Sequence, residues 1–82
     1  MELTVMPNPV GSLLNYKAIG RDNGTYQVQI TDAFGKIVKA QTVNLITGEN
    51  QNSIDVSTLA KGVYILQISG ENYYAAERML KL

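Results

Sequence analysis

The sequence lacks cysteine, histidine and tryptophan altogether. Without cysteine, neither a disulfide nor a thiolate metal site can stabilise the fold, so the apolar core has to suffice. Without histidine, a catalytic triad has no imidazole base, and the acidic residues are spread over different predicted turns and strands. The best candidate loop for Ca²⁺, Arg21–Gly24, offers too few oxygen ligands. We therefore predict that the chain is not an enzyme and binds no metal or cofactor.

The sequence also has no excess of one charge, because seven basic and seven acidic residues give a formal net charge of zero. They are scattered along the chain, which argues against nucleic acid as a partner and against an electrostatic membrane patch. No apolar run approaches the ~20 residues of a membrane span, so we expect no membrane insertion. Residues 1–5 lack the charged and apolar regions of a signal peptide. A net charge of zero gives little electrostatic repulsion between copies of the chain, so a weak homodimer is compatible with the sequence.

The 82 residues fit a single domain, which we assign to residues 1–82. Short alternating runs between turn residues, without sustained helical periodicity, predict an all-β fold. The expected architecture is an immunoglobulin-like antiparallel β-sandwich of about seven strands. The predicted strands are Leu3–Met6, Leu13–Ala18, Thr25–Thr31, Ile37–Leu45, Ser53–Val56, Val63–Ile68 and Tyr73–Leu82. The polar residues Thr47–Asn52 are predicted to form a mobile loop.

Two of these strands are informative about burial. Thr25–Thr31 is the clearest half-buried strand, and its even-numbered side chains are expected to face the core. Val63–Ile68 is β-branched and aromatic and lacks proline and charge, which predicts a strand in the middle of a sheet, buried on both faces. On the last strand, Arg78 and Lys81 are interpreted as a solvated face or as protection of a sheet edge.

Two turns have a defined chemistry. Asp32–Lys36 is predicted to be a hairpin turn, in which Asp32 accepts hydrogen bonds from backbone N–H groups and Gly35 takes a positive φ and forms a bulge. Ser57 is predicted to cap the N–H groups of a second turn. Tyr64 follows this second turn, as in the tyrosine corner of sandwich domains, where the hydroxyl bonds to the backbone a few residues upstream. We expect Tyr64 to clamp the turn in this way.

Three segments in this order resemble a known family. They are Met6–Pro9 near the start, Ile30–Val38 in the middle and Ile54–Ile68 towards the end. With the closing segment Arg78–Leu82, they make the chain resemble the C-terminal sorting domain of the type IX secretion system of Bacteroidetes, of the kind called type A. The resemblance covers almost the whole chain.

The resemblance implies a small domain appended to a secreted cargo protein, which is fused at its N-terminal side. The cargo crosses the inner membrane on its own signal peptide and passes through the periplasm. The outer-membrane translocon then recognises the sorting domain, and a sortase-like protease at the cell surface removes it by cutting upstream of Pro7. The product is surface-bound or secreted. Residues 1–6 are expected to include part of the linker to the cargo.

The residues that match the family motifs fall into four groups. The groups are Pro7, Asn8 and Pro9; Asp32, Gly35 and Lys36; Leu59, Gly62, Val63 and Tyr64; and Arg78, Lys81 and Leu82. Most of them also have a structural explanation, since proline ends a strand and glycine shapes a turn. The segment expected to be read directly is Tyr74–Leu82, because a terminal strand can offer unpaired backbone groups to a receptor by β-addition.

Two other functions are compatible with the same fold, since fold does not determine function. One is a non-catalytic immunoglobulin-like or fibronectin-like binding or adhesion module of a secreted protein. The other is a structural spacer or an oligomerisation unit that uses exposed strand edges. A binding module stays attached to its parent protein, whereas a sorting domain is terminal and is removed.

Overall fold

A computed structural model of the chain describes residues 2–6, 9–71 and 73–82. The strands are β1 (Glu2–Met6), β2 (Leu13–Gly20), β3 (Gly24–Thr31), β4 (Ile37–Leu45), β5 (Gly48–Asp55), β6 (Gly62–Ser69) and β7 (Tyr74–Lys81). The described residues contain no helix. The predicted all-β fold of seven strands is therefore confirmed.

The strands form two antiparallel sheets that make up a sandwich. The smaller sheet has the order β1-β2-β5, and the larger has the order β4-β3-β6-β7. This is an immunoglobulin-like arrangement in which the fourth strand pairs with the third instead of the fifth. Between β1 and β2, Val10 makes an isolated parallel bridge to Lys81 of β7, which ties the two sheets together along one side.

The core lies between the sheets and is built from alternating residues of both. As predicted, Tyr26, Val28 and Ile30 of β3 are buried. Leu66 of β6 belongs to the same cluster, and Leu14 of β2 contributes from the smaller sheet. The chain has no cysteine and therefore no disulfide, so burial of this cluster is the main interaction that holds the sandwich together.

The outer face of β6 is exposed, which shows that the prediction of burial on both faces was wrong. Val63 and Ile65 are 39% and 36% exposed. The strand does lie inside its sheet, between β3 and β7, as expected. A sandwich has only two layers, so each strand buries one face, and the apolar character of Val63 and Ile65 needs another explanation.

The predicted mobile loop Thr47–Asn52 was also wrong, because most of it belongs to β5. This strand pairs along its whole length with β2, from Leu13 opposite Asp55 to Gly20 opposite Gly48. β5 is an edge strand, and most of its side chains are exposed, so polar residues there cost little. The Asn50 side chain also holds the preceding turn, since it donates to the Ile46 carbonyl at 2.9 Å and accepts from the Ile46 N–H at 2.9 Å.

Candidate recognition site

The motif residues that the structure describes all lie at one end of the sandwich. β3 ends there, β6 begins there and β7 ends there, because these neighbours are antiparallel and Gly62 lies opposite Lys81. The residues after β1 reach the same end, where Ser12 accepts a backbone hydrogen bond from Val56. We call this the motif end, comprising residues 9–12, 32–36, 56–65 and 78–82. Pro7 and Asn8 lie outside the described residues.

The hairpin turn between β3 and β4 has the predicted chemistry. The Asp32 carboxylate accepts from the backbone N–H groups of Phe34 at 2.9 Å and Lys36 at 3.0 Å. Gly35 has a φ of 83°, a left-handed conformation that favours glycine. The Gly35 N–H donates to the Asp32 carbonyl at 3.0 Å and the Asp32 N–H donates to the Lys36 carbonyl at 2.9 Å, so Gly35 and Lys36 both lie opposite Asp32 and form the predicted bulge. These interactions fix the turn, although the Phe34 side chain at its tip is 96% exposed.

The tyrosine corner is confirmed. The Tyr64 hydroxyl donates to the carbonyl of Ala60 at 2.6 Å and so clamps the turn between β5 and β6. The cap of this turn was predicted wrongly: Asp55, and not Ser57, is the side chain that accepts, from the Ser57 N–H at 2.9 Å. A carboxylate two residues ahead of an N–H group forms an Asx turn, which is the stronger of the two arrangements.

The pKa of the Asp55 carboxyl is held below its usual range, chiefly by the hydrogen bonds from the Ser57 N–H and hydroxyl and to a smaller extent by Lys39. We expect Asp55→Ala to destabilise the domain at neutral pH. A lowered pKa in the folded state stabilises the fold above the unfolded-state pKa, and this contribution is lost as the pH falls through the folded-state pKa. Urea unfolding at a series of pH values measures it. The stabilities of the two proteins should converge in acid; a pH-independent gap would contradict this explanation.

The end of β7 contains a buried lysine. Lys81 is 7% exposed, so the prediction of a solvated residue was wrong for Lys81 and right for Arg78, which is exposed. Alternation along β7 turns Met79 and Lys81 inwards, where the lysine stem covers apolar surface. Its ammonium group donates to the carbonyl of Leu82 at 2.7 Å.

The charges that are scattered in the sequence are separated in the fold. When each strand is divided at its midpoint, the half towards the motif end has five basic and two acidic residues, a net charge of +3. These are Lys36, Lys39, Lys61, Arg78 and Lys81, with Asp32 and Asp55. The other half holds two basic and five acidic residues, a net charge of −3. The motif end is therefore basic, although the whole chain is neutral.

Comparison with protein families shows which family the chain belongs to. The model of a family described as "Secretion system C-terminal sorting domain" matches residues 4–81. The chain belongs to this family. It is a sorting domain of type IX secretion, a signal domain that marks a cargo protein for export towards the cell surface or out of the cell.

Two structural features are absent from the described part of the sorting domain. Its acidic residues do not gather in groups of three or more that could hold a metal ion. Residues 2–6, 9–71 and 73–82 also include no helix of the length and apolarity needed to cross a membrane.

Two residues of the sorting domain were missed in the sequence. Val10 is completely buried, and its N–H donates to the Leu80 carbonyl at 2.7 Å while its carbonyl accepts from the Leu82 N–H at 2.9 Å. Phe34 is the other, at the tip of the hairpin. A signal existed for each, because Val10 is an isolated apolar residue after a proline and Phe34 is an aromatic residue in a turn where polar residues are usual.

Tyr16 of the sorting domain has an unusual environment. Its side chain is 1% exposed, and burial raises the pKa of its hydroxyl; the amide side chains of Gln41 and Asn52 offset part of this rise. The hydroxyl has no partner in hydrogen-bond geometry among the described residues. A buried hydroxyl without a partner costs about 1–3 kcal/mol.

Two of the buried tyrosines of the sorting domain, Tyr64 and Tyr16, should respond differently to loss of the hydroxyl. Tyr64→Phe is expected to lower the free energy of unfolding by about 1 kcal/mol, because it removes the bond to Ala60. Tyr16→Phe is expected to leave the free energy of unfolding unchanged or to raise it, because no such bond is lost. Urea unfolding of both variants beside the wild type measures the difference. Equal losses in the two variants would show that the corner bond contributes nothing specific.

Proposed function

We propose that the sorting domain directs an N-terminally fused cargo from the periplasm through the outer-membrane translocon of the type IX system, and that a sortase-like protease at the cell surface then removes it. The observation that carries this proposal is a separation along the long axis of the domain, which measures 34 Å. The motif residues gather at one end, and β1 starts at the other, where Glu2 lies opposite Ile19. A cargo attached ahead of β1 therefore leaves the motif end accessible to a receptor.

The free edge of β7 supports recognition by β-addition. β7 is the last strand of the larger sheet, and the Leu80 carbonyl on its outer side accepts from Val10. Backbone groups alternate in direction along a strand, so those of Tyr74, Ala76 and Arg78 point to the same outer side. A strand of the receptor can pair with these three residues. We therefore place the backbone contact at residues 74–78 of the expected segment 74–82.

The pairing of β1 bears on where the protease cuts. β1 pairs with β2 through all five of its residues, from Glu2 to Met6. A protease binds its substrate as an extended and accessible segment, which a strand already paired in a sheet does not offer. We therefore place the cut ahead of β1, on the side of the cargo. This position agrees with the expected cut upstream of Pro7.

The test is a secretion assay with the chain fused to the C-terminus of a periplasmic fluorescent protein. The fusion is expressed in a type IX-competent bacterium and in a translocon mutant of the same strain. We expect fluorescence outside the competent cells, cleaved from the domain, and no external fluorescence in the mutant. Fluorescence trapped in both strains, with the domain shown to be folded, would favour the binding-module function.

A single substitution tests the β-addition step. The N–H group of Ala76 points away from β6, so proline is sterically acceptable there but removes a donor from the free edge. Ala76→Pro is expected to reduce export severely, whereas Ala76→Ser, which keeps the N–H group, is expected to export normally. Deletion of Arg78–Leu82 is a poorer test, because it also removes the buried Met79 and the partners of Val10.

A further inference from the structure

The outer face of the larger sheet has exposed apolar side chains concentrated at the motif end. Val63 and Ile65 come from β6, Ile37 from β4 and Phe34 from the hairpin tip, and all four are exposed. Ile65 and Ile37 lie in one row across the sheet, because each is opposite Thr31 of β3. We call Phe34, Ile37, Val63 and Ile65 the apolar patch. Apolar side chains grouped on a sheet face that water can reach are typical of binding surfaces.

The apolar patch is concave. A shallow depression of about 590 Å³ lies between Ile37 on one side and Val63 and Ile65 on the other. Gln29 and Gln67 also line it and supply amide groups that can form hydrogen bonds. A depression of this shape accommodates a protruding side chain of a partner, which is how the central anchor residues of protein interfaces bind.

Three cations surround the apolar patch. Lys36 directly precedes Ile37, Lys61 lies at the start of β6, and Arg78 is opposite Ile65 on the same face. All three are exposed, and none forms an ion pair within the described part of the chain. The neighbouring Asp32 carboxylate already accepts two backbone hydrogen bonds of the hairpin. These hydrogen bonds leave the negative charge of Asp32, which also lines the depression, in place, so the patch has three positive charges and one negative charge at its border.

We infer that the apolar patch binds a protein of the translocon. The surface of that protein presents a protruding apolar side chain bordered by carboxylates. This inference rests on the sorting function proposed above. A second copy docked through the same patch would bring the two sets of cations together, which disfavours a symmetric dimer. A lipid surface fits less well, since three cations supply only about 1 kcal/mol each and the centre of the patch is recessed. This contact uses the sheet face and is distinct from the edge of β7.

The export assay with patch variants tests this contact. Phe34→Ser with Ile37→Thr shortens two exposed apolar side chains and is expected to reduce the export rate at least tenfold. Lys36→Glu with Lys61→Glu reverses two border charges and should have a similar effect, because carboxylates would then face carboxylates. The matched controls at the opposite end are Ile46→Thr, which replaces an exposed isoleucine, and Arg21→Glu. Both controls should export at the wild-type rate, and urea unfolding verifies that every variant is folded.

The outcomes separate this inference from the sorting function. If the wild-type fusion is not exported, the sorting function and the patch contact both fail. If the wild type and both patch variants are exported at the same rate, the patch contact alone is wrong. The purified chain is also tested with vesicles of phosphatidylglycerol and lipopolysaccharide and by sedimentation equilibrium. If the purified chain binds vesicles or dimerises, and Phe34→Ser with Ile37→Thr abolishes this, the partner of the patch is a lipid or a second copy of the chain and not a protein of the translocon.

Discussion

Leu66→Ala is expected to lower the free energy of unfolding by about 2–5 kcal/mol, which is the range for loss of a fully buried leucine. Leu66 is 0% exposed and lies on the core face of an inner strand, so the space it leaves is enclosed on all sides. A domain of this size has a total stability on the order of 5 kcal/mol. Much of the variant should therefore be unfolded at 37 °C, as chemical and thermal denaturation followed by circular dichroism would show.

The adjacent residue provides a matched control for this substitution. Ile65 has the same number of side-chain carbons as Leu66 and lies on the same strand, but it faces solvent. Ile65→Ala should cost less, because 36% of Ile65 is already exposed in the folded state and its truncation leaves no enclosed cavity. Similar losses at the two positions would mean that the outer face of β6 is covered in solution, for example by a second copy of the chain.

Gly70→Ala is expected to destabilise the domain by about 1–3 kcal/mol through overpacking. A Cβ atom at this position would lie 2.6 Å from two ring carbons of Tyr26, well inside contact distance. The ring cannot easily move away, because Tyr26 is buried and packs on the ring of Tyr73 with a centroid distance of 5.7 Å. The measurement is the urea midpoint of the variant relative to the wild type.

The control for Gly70 is another glycine with open space around it. A Cβ atom at Gly11 would meet nothing within 4 Å, and its φ is not positive. Gly11→Ala should therefore leave stability unchanged or raise it slightly, because alanine restricts the unfolded chain. A loss at Gly11 as large as the loss at Gly70 would show that both effects arise from the backbone and that the clash with Tyr26 is not the cause.

The features that were predicted correctly from the sequence are those for which a local residue pattern allows only one structure. The alternation of β3 identified its core face, and the Asp32–Lys36 turn has few conformations that satisfy its backbone groups. The tyrosine corner was recognisable for the same reason, because a tyrosine shortly after a turn can reach back to the turn. These features are local, because the residues whose interactions stabilise them lie within about ten positions of each other in the chain.

The features that were predicted wrongly depend on neighbours distant in sequence. β5 is polar because it lies at an edge, and only the pairing with β2 shows this. Val63 and Ile65 are apolar although one face of β6 is uncovered, which no periodicity reveals. Lys81 is buried because it lies on the inward-facing side of β7, beside the bridge from Val10. The charge separation that defines the candidate site likewise exists only after the chain has folded.

The positions of Glu2 and Leu82 also determine how the domain carries mechanical load. β1 runs from the cargo side towards the motif end, β7 runs in the same direction, and Val10 connects them. A pull between Glu2 and Leu82 is therefore directed along the strands, at right angles to the ladder hydrogen bonds. In this geometry many hydrogen bonds share the force at once, whereas unzipping would break them one at a time. A sorting domain that is held at its motif end therefore resists shear while the cargo pulls on its other end.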